Sequence, residues 1–231
     1  PEGLVVSLQN GMCAELLDEA AGKGRGAVAI VTWSSTRTGD TELQITGEGG
    51  FVLGMTDGSI DERLKQVKNA LDKMAPTRVT DDIRGEIYSK LIINSGITCG
   101  GALYGRELGV MLRNSTVRRF FIAIAREDMA LAEAMHLRVP AFGGKLDYYK
   151  FVRGDSPFDH FRRHALLLVI GLRYRHLTSS SLTSLRRGQR TEAEWLNGWI
   201  SRKAQEYGVP APVNERTWQM GTELEDGKRK P

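Results

Sequence analysis

The sequence predicts an α/β segment followed by an all-helical segment, with the change near residue 81. Two observations carry this. Up to about Thr80, short apolar and β-branched runs alternate with Gly, Thr and Asp turns. Beyond Asp81 the strand-like runs stop, and long segments at helical spacing take over. A chain of 231 residues, 41% hydrophobic and 26% charged, has the make-up of an ordinary globular protein and is long enough for two domains, taken as 1–81 and 82–231.

The elements follow in order. Leu4-Val5-Val6-Ser7-Leu8 reads as a buried strand, closed by the turn Gln9-Asn10-Gly11, with a short helix from about Met12 to Ala21. A buried strand needs neighbours on both sides, yet this one opens the chain, so the reading implies that an N-terminal part of the natural protein precedes it. Gly26–Trp33, Thr41–Thr46, Gly50–Leu53 and Arg78–Thr80 are further short strands. Asp61–Met74 is a helix with Leu64, Val67, Leu71 and Met74 on one face. Helices follow over Ile83–Ile97, Ser115–Met135 (started by Asn114/Ser115), Pro157–Leu172, Thr191–Tyr207 (stopped by Gly208 and Pro210) and Val213–Thr222. The charged tail, Glu223–Pro231, is expected to be disordered.

Several function classes are disfavoured. No stretch approaches the roughly 18 apolar residues of a membrane span. The start shows no secretory pattern, and two cysteines, Cys13 and Cys99, fit a reduced, cytoplasmic setting better than a disulfide framework. Net charge is +4, with ten basic side chains and only Asp147, Asp155 and Asp159 between Lys145 and Arg190. Such a region can attract an anionic metabolite or a phosphate-bearing cofactor, but no nucleic-acid motif accompanies it. His160 and His164 have metal-ligand spacing without a third ligand or the acid of the zinc motif, so no metal is expected. Gly22-Lys23-Gly24-Arg25-Gly26 is not a dinucleotide fingerprint and sits between helix and strand, the wrong order.

Two polar features stand in apolar surroundings. Lys90, Asn94 and Thr98 are spaced i, i+4, i+8 among Ile87, Leu91, Ile92, Ile93 and Ile97, forming a narrow stripe on an otherwise buried helix. A lysine in an apolar cleft has a lowered pKa and can protonate a developing alkoxide. The spacing fits equally a lysine that reaches solvent or a structural ion pair. Glu192 heads a segment containing Trp195, Leu196, Trp199 and Ile200, and is read either as first-turn acid on a helix or as a group that binds a substrate hydroxyl. Thr178–Ser181 is a hydroxyl cluster that reads as a cap or turn.

Taken together, Ser7-Leu8-Gln9-Asn10-Gly11, Lys90-Leu91-Ile92-Ile93-Asn94, Arg190-Thr191-Glu192 with Leu196-Asn197-Gly198, and Tyr207 to Asn214 resemble the ketopantoate reductase family in order and separation. The resemblance implies residues 1–81 as the last part of a Rossmann-like domain that binds NADPH, its Gly-rich loop lying upstream, and 82–231 as the helical substrate and catalytic domain. It implies Lys90 as general acid toward a ketone oxygen and Glu192 as the catalytic or substrate-orienting glutamate. It further implies Asn94 as substrate-binding, Ser180 as the serine on the substrate carboxylate, and Asn10 at the nicotinamide end. Thr98 stands where the family commonly has a second asparagine, and Ser184 where it has an acid, which leaves the exact 2-oxo acid open. The implied reaction is NADPH-dependent reduction of 2-dehydropantoate in pantothenate and coenzyme A synthesis. A reductase of another 2-oxo acid and a non-catalytic helical interaction module are the alternatives. The apolar helices suit a homodimer or an intramolecular core.

Overall fold

The computed structural model describes residues 3–230, with the side chains of Thr36 and Arg37 excepted. The chain divides into two compact units, Pro1–Tyr88 and Ser89–Pro231. The boundary falls inside a helix, seven residues later than the composition change suggests.

In the first unit, β1 (Val5–Ser7), α1 (Ala14–Ala21), β2 (Gly26–Val31), β3 (Ser34–Arg37), β4 (Leu43–Gly47), β5 (Phe51–Met55), α2 (Glu62–Leu71) and β6 (Thr77–Val79) precede α3 (Ile83–Tyr104). The sheet order is β1-β2-β5-β6. It is mixed: β1 runs parallel to β2, β2 antiparallel to β5, and β5 parallel to β6. The hairpin β3–β4 forms its own two-stranded sheet. The expected strand Gly26–Trp33 therefore ends two residues early, and β3 was not foreseen.

β2 is apolar throughout because both faces are covered. Val28, Ile30 and Val52 pack with Ala14, Leu17, Ile83 and Ile87, while Ala27, Ala29, Phe51, Leu53 and Met55 pack with Leu64 of α2. Gly54 interrupts β5 where α3 begins: a Cβ there would lie 2.8 Å from the Cβ of Ile83. Among the described residues β1 pairs only with β2, and Val5 and Leu8 are exposed.

Apart from one isolated bridge between Phe142 and Leu146, the described part of the second unit is helical. After α3 come α4 (Leu108–Arg113), α5 (Ser115–Ala134), α6 (Tyr148–Val152), α7 (Pro157–Arg173), α8 (Ser180–Arg186), α9 (Asn197–Glu206) and α10 (Pro212–Glu225). Asn114 caps α5 by accepting from the Thr116 N–H. Ser156 and Asp159 form a reciprocal capping box ahead of α7. The first turn of α10 borrows its acceptor from α5: the Glu127 carboxylate takes the N–H groups of Val213 and Asn214, each at 2.9 Å. The tail expected to be disordered begins inside this helix, and Arg229 beyond it pairs with Glu223 at 2.7 Å. No described helix is long and apolar enough to cross a membrane.

A buried polar network ties four helices together. The Ser95 hydroxyl on α3 lies 3.0 Å from the Ile92 carbonyl and 2.7 Å from Oδ2 of Asp128 on α5. Oδ1 of Asp128 accepts from Nδ2 of Asn214 on α10 at 2.9 Å. Asn197, the first residue of α9, donates through Nδ2 to Oδ1 of Asn214 at 2.8 Å and to the Ser95 carbonyl at 3.2 Å. Asp128 thus accepts from two neighbours, through Oδ2 from Ser95 and through Oδ1 from Asn214. Burial nonetheless pushes the Asp128 carboxyl up to about 8, against the lowering effect of the hydrogen bonds it accepts from Ser95 and Asn214.

The sign for stability follows. Native Asp128 keeps its proton up to about pH 8, whereas an unfolded aspartate loses it near pH ~4. Between the two, the unfolded state binds fewer protons, so stability falls as pH rises. Asp128→Asn keeps an acceptor toward Asn214, offers an N–H to Ser95, whose hydroxyl then turns to the Ile92 carbonyl, and removes the titration. The variant is expected to flatten that decline by up to ~1.4 kcal/mol per pH unit. Urea unfolding at pH 5, 6 and 7.5 reads it; equal pH slopes in the two proteins would refute a neutral Asp128.

Candidate active site

α3 supplies one wall of the site. Lys90 lies mostly buried on it, with Asn94 partly buried one turn on and Thr98 buried a turn later. Gly101 continues the same stripe, and α8 is seated there: a Cβ at Gly101 would collide with the Ser179 hydroxyl. Ser179 caps α8 by accepting from the Leu182 N–H at 3.1 Å. The hydroxyl cluster read as a cap is one, and the cap in turn presents the next two serines.

Those serines hold Glu192. The Ser180 hydroxyl donates to Oε2 of Glu192 at 2.6 Å, and the Glu192 N–H donates to the buried Ser181 Oγ at 3.1 Å. One residue earlier, Thr191 donates through its N–H and its hydroxyl to Oε1 of Glu225 on α10, at 2.8 and 2.5 Å. Glu192 is therefore not in the first turn of a helix. Residues 192–196 form turns, and α9 begins only at Asn197. Side-chain hydrogen bonds at Thr191 and Glu192 compete with helix formation and delay its start. Leu196 and Ile200 are buried as expected, but Trp195 is 59% exposed. Glu194 anchors the far side, accepting from Trp218 Nε1 at 2.8 Å and pairing with Arg202 at 2.7 Å.

Lys90 and Glu192 sense each other. Desolvation lowers the Lys90 ammonium to about 8, and the negative charge of Glu192 opposes that fall. The ammonium is thus poised near neutrality, where a proton can be given or taken with little bias. Cys99, buried on α3, is held in its thiol form by desolvation and by Glu192, which removes it as a nucleophile at ordinary pH. His164 accepts from Arg118 Nε through Nδ1 at 3.0 Å, and no group of three or more potential metal ligands exists among the described residues.

The second unit therefore brings Lys90, Ser180 and Glu192 into one electrostatic group, with Asn94 and Thr98 on the same face of α3. Asn10 belongs to the first unit, partly buried in the turn past the C-terminal end of β1, beside the buried Gly11 at φ 84°. Ser181, Thr191 and Glu225 were not anticipated as parts of the site. Ser181 lay in the hydroxyl cluster at 178–181 and Thr191 in the Arg190-Thr191-Glu192 signature, and no sequence signal pointed to Glu225.

Residues 82–225 match the family model described as ketopantoate reductase PanE/ApbA, C terminal. The chain is 27% identical over 227 residues to 2-dehydropantoate 2-reductase of Archaeoglobus fulgidus, covering 97% of this chain and 69% of that protein. It is 26% identical over 217 residues to the enzyme of Pyrococcus horikoshii, covering 94% of this chain and 65% of that protein. It thus spans about two thirds of the length of these relatives. Among solved structures, the ketopantoate reductase of Ralstonia eutropha superposes with a TM-score of 0.76 at 23% identity, covering 97% of this chain and 67% of that one. D-Mandelate dehydrogenase complexed with NADH gives 0.77 at 19%, covering 98% and 71%. A dimeric ketopantoate reductase from Staphylococcus aureus gives 0.72 at 17%, covering 98% and 69%.

Proposed function

The chain belongs to the ketopantoate reductase PanE/ApbA family, and we propose that it forms the catalytic part of an NADPH-dependent reductase converting 2-dehydropantoate to pantoate. The observation that carries this is Lys90, mostly buried and lowered to about 8, in the field of Glu192, whose carboxylate accepts from Ser180 and whose backbone N–H donates to Ser181.

The residues divide the work. Lys90 donates a hydrogen bond to the ketone oxygen, stabilises the negative charge that develops there and then gives up its proton. Glu192 keeps Lys90 protonated in the ground state and accepts a hydrogen bond from a substrate hydroxyl. Asn94 donates to the substrate, Ser180 turns its single hydroxyl hydrogen from Glu192 to the substrate carboxylate when the acid binds, and Thr98 borders the same face. When bound, NADPH supplies the hydride that adds to the carbonyl carbon. Asn10 suits its nicotinamide end: the Gln9–Gly11 turn lies at the C-terminal edge of a parallel strand pair, where open α/β sheets hold ligands. No Gly-rich pyrophosphate loop occurs in these 231 residues, so the cofactor fit extends to that end only. Residues 1–81 are read as the cofactor side and 82–231 as the substrate side. The setting is the cytoplasm, in pantothenate and coenzyme A synthesis. The protein acts as a homodimer, as the staphylococcal relative does.

A second reading is favoured by two residues. Thr98 and Ser184 replace the family's usual asparagine and acid, and the same fold carries D-mandelate dehydrogenase. A reductase of another 2-oxo acid would keep Lys90 and Glu192 and differ at these positions. The deciding measurement is NADPH oxidation by the whole protein against 2-dehydropantoate and a panel of 2-oxo acids. The highest kcat/KM with 2-dehydropantoate is expected. A higher value with another acid would move the assignment to it, and failure to bind any nicotinamide cofactor would leave a helical interaction module.

A further inference from the structure

Helix α7 is apolar on two opposite faces, and only one is used inside the chain. Leu167 and Gly171 are buried on the inner face, where Gly171 admits Leu112 of α4 so closely that a Cβ would lie 2.9 Å from the Leu112 Cβ. The outer face carries Phe158, Phe161, Ala165, Leu168 and Leu172, spaced 3, 4, 3, 4, with Val169 alongside. Phe158 and Phe161 are each 70% exposed, Leu172 68%, Val169 59% and Leu168 39%. With an aromatic side chain presenting ~150–250 Å², this stripe leaves on the order of 500 Å² of apolar surface open to water. That rivals the largest patch of a typical monomer and exceeds half of the roughly 800 Å² that each partner contributes to a standard interface.

We propose that the outer face of α7 is a self-association surface, meeting the same face of a second copy in antiparallel, two-fold fashion about Ala165. The inference rests on the homodimer proposed above and assigns its contact. Two features favour a second copy over another partner. The 3-4 spacing is that of a helix seam that packs against another helix. The stripe is self-complementary: its aromatic end meets the aliphatic end of the other copy, and the small Ala165 at its midpoint lets the two helices approach at the crossing.

Sedimentation equilibrium and cross-linking test this in two steps. The protein is expected to sediment with the mass of two chains at micromolar concentration, and the double variant Phe161→Glu, Leu172→Glu as one chain with unchanged helical circular dichroism. Ala165→Cys is expected to couple to its own copy through a short bis-maleimide, above the background that Cys13 gives in the unsubstituted protein. A one-chain mass for the unsubstituted protein would refute self-association itself. A two-chain mass without Ala165→Cys coupling, or one that survives the double substitution, would keep the dimer and refute this face.

Discussion

Replacing Lys90 with alanine is expected to lower kcat/KM by on the order of 10³–10⁴-fold while leaving the fold intact. Losing a positioned general acid costs roughly 10²–10⁴, and losing its charge at the developing alkoxide adds to that. The helix itself should not suffer, because a mostly buried ammonium is held at a desolvation cost that alanine does not carry. The same residue fixes the pH profile. Reduction needs the ammonium, so the rate should fall as pH rises through about 8, and oxidation of the hydroxy acid should rise over the same interval. Because Glu192 holds that value up, Glu192→Gln should shift both limbs to lower pH. Initial rates of cofactor oxidation and reduction between pH 6 and 10, with circular dichroism as the fold control, measure all of this. Near-normal turnover by Lys90→Ala would overturn its assignment as the acid.

Asn197→Ala is expected to have the largest effect on stability, a loss of about 3 kcal/mol. Asn197 is completely buried, and its amide serves Asn214 on α10 and the Ser95 carbonyl on α3. Alanine leaves two buried acceptors without this donor, each worth ~1–3 kcal/mol, and opens a small void. In a chain of this size the melting temperature should fall on the order of 10 °C. Activity should fall as well, by roughly tenfold at a temperature where both proteins are folded. Asn197 fixes the start of α9 against α3, and so the distance from the Glu192 turn to Lys90. Calorimetry paired with rate measurements well below the transition separates the two losses. An unchanged melting temperature would show that the network does not hold these helices.

The sequence exposed the elements whose signal is periodic and long. α3, α5, α7 and α10 came from apolar spacing and caps, and the small sheet came from β-branched runs between turns. The short helices α4, α6 and α8, of five to seven residues, offer too few turns for a period to register. The start of α9 was misplaced because Thr191 to Leu196 has the composition of a helix, while the bonds that keep it out of one come from Ser181 and Glu225, far along the chain. Lys90, Asn94, Ser180 and Glu192 stood out as residues, but the way Glu192 is held did not. Asp128 was invisible for the same reason: beside Glu127 on a helix it looks like a surface acid, and only its meeting with Ser95 and Asn214 makes it a buried neutral one.

The Ser180–Glu192 arrangement has a consequence for adaptability. Lys90 belongs to a 22-residue helix packed along its length, so its position is stiff. Glu192 belongs to a turn tethered by a few hydroxyl contacts, which can be lengthened, shortened or removed one at a time without repacking a helix. On the function proposed above, the proton donor and the Glu192 turn are thus carried by elements that can change independently. Changes confined to residues 178–184 and 190–196 can retune which acid is accepted while the proton donor stays where it is.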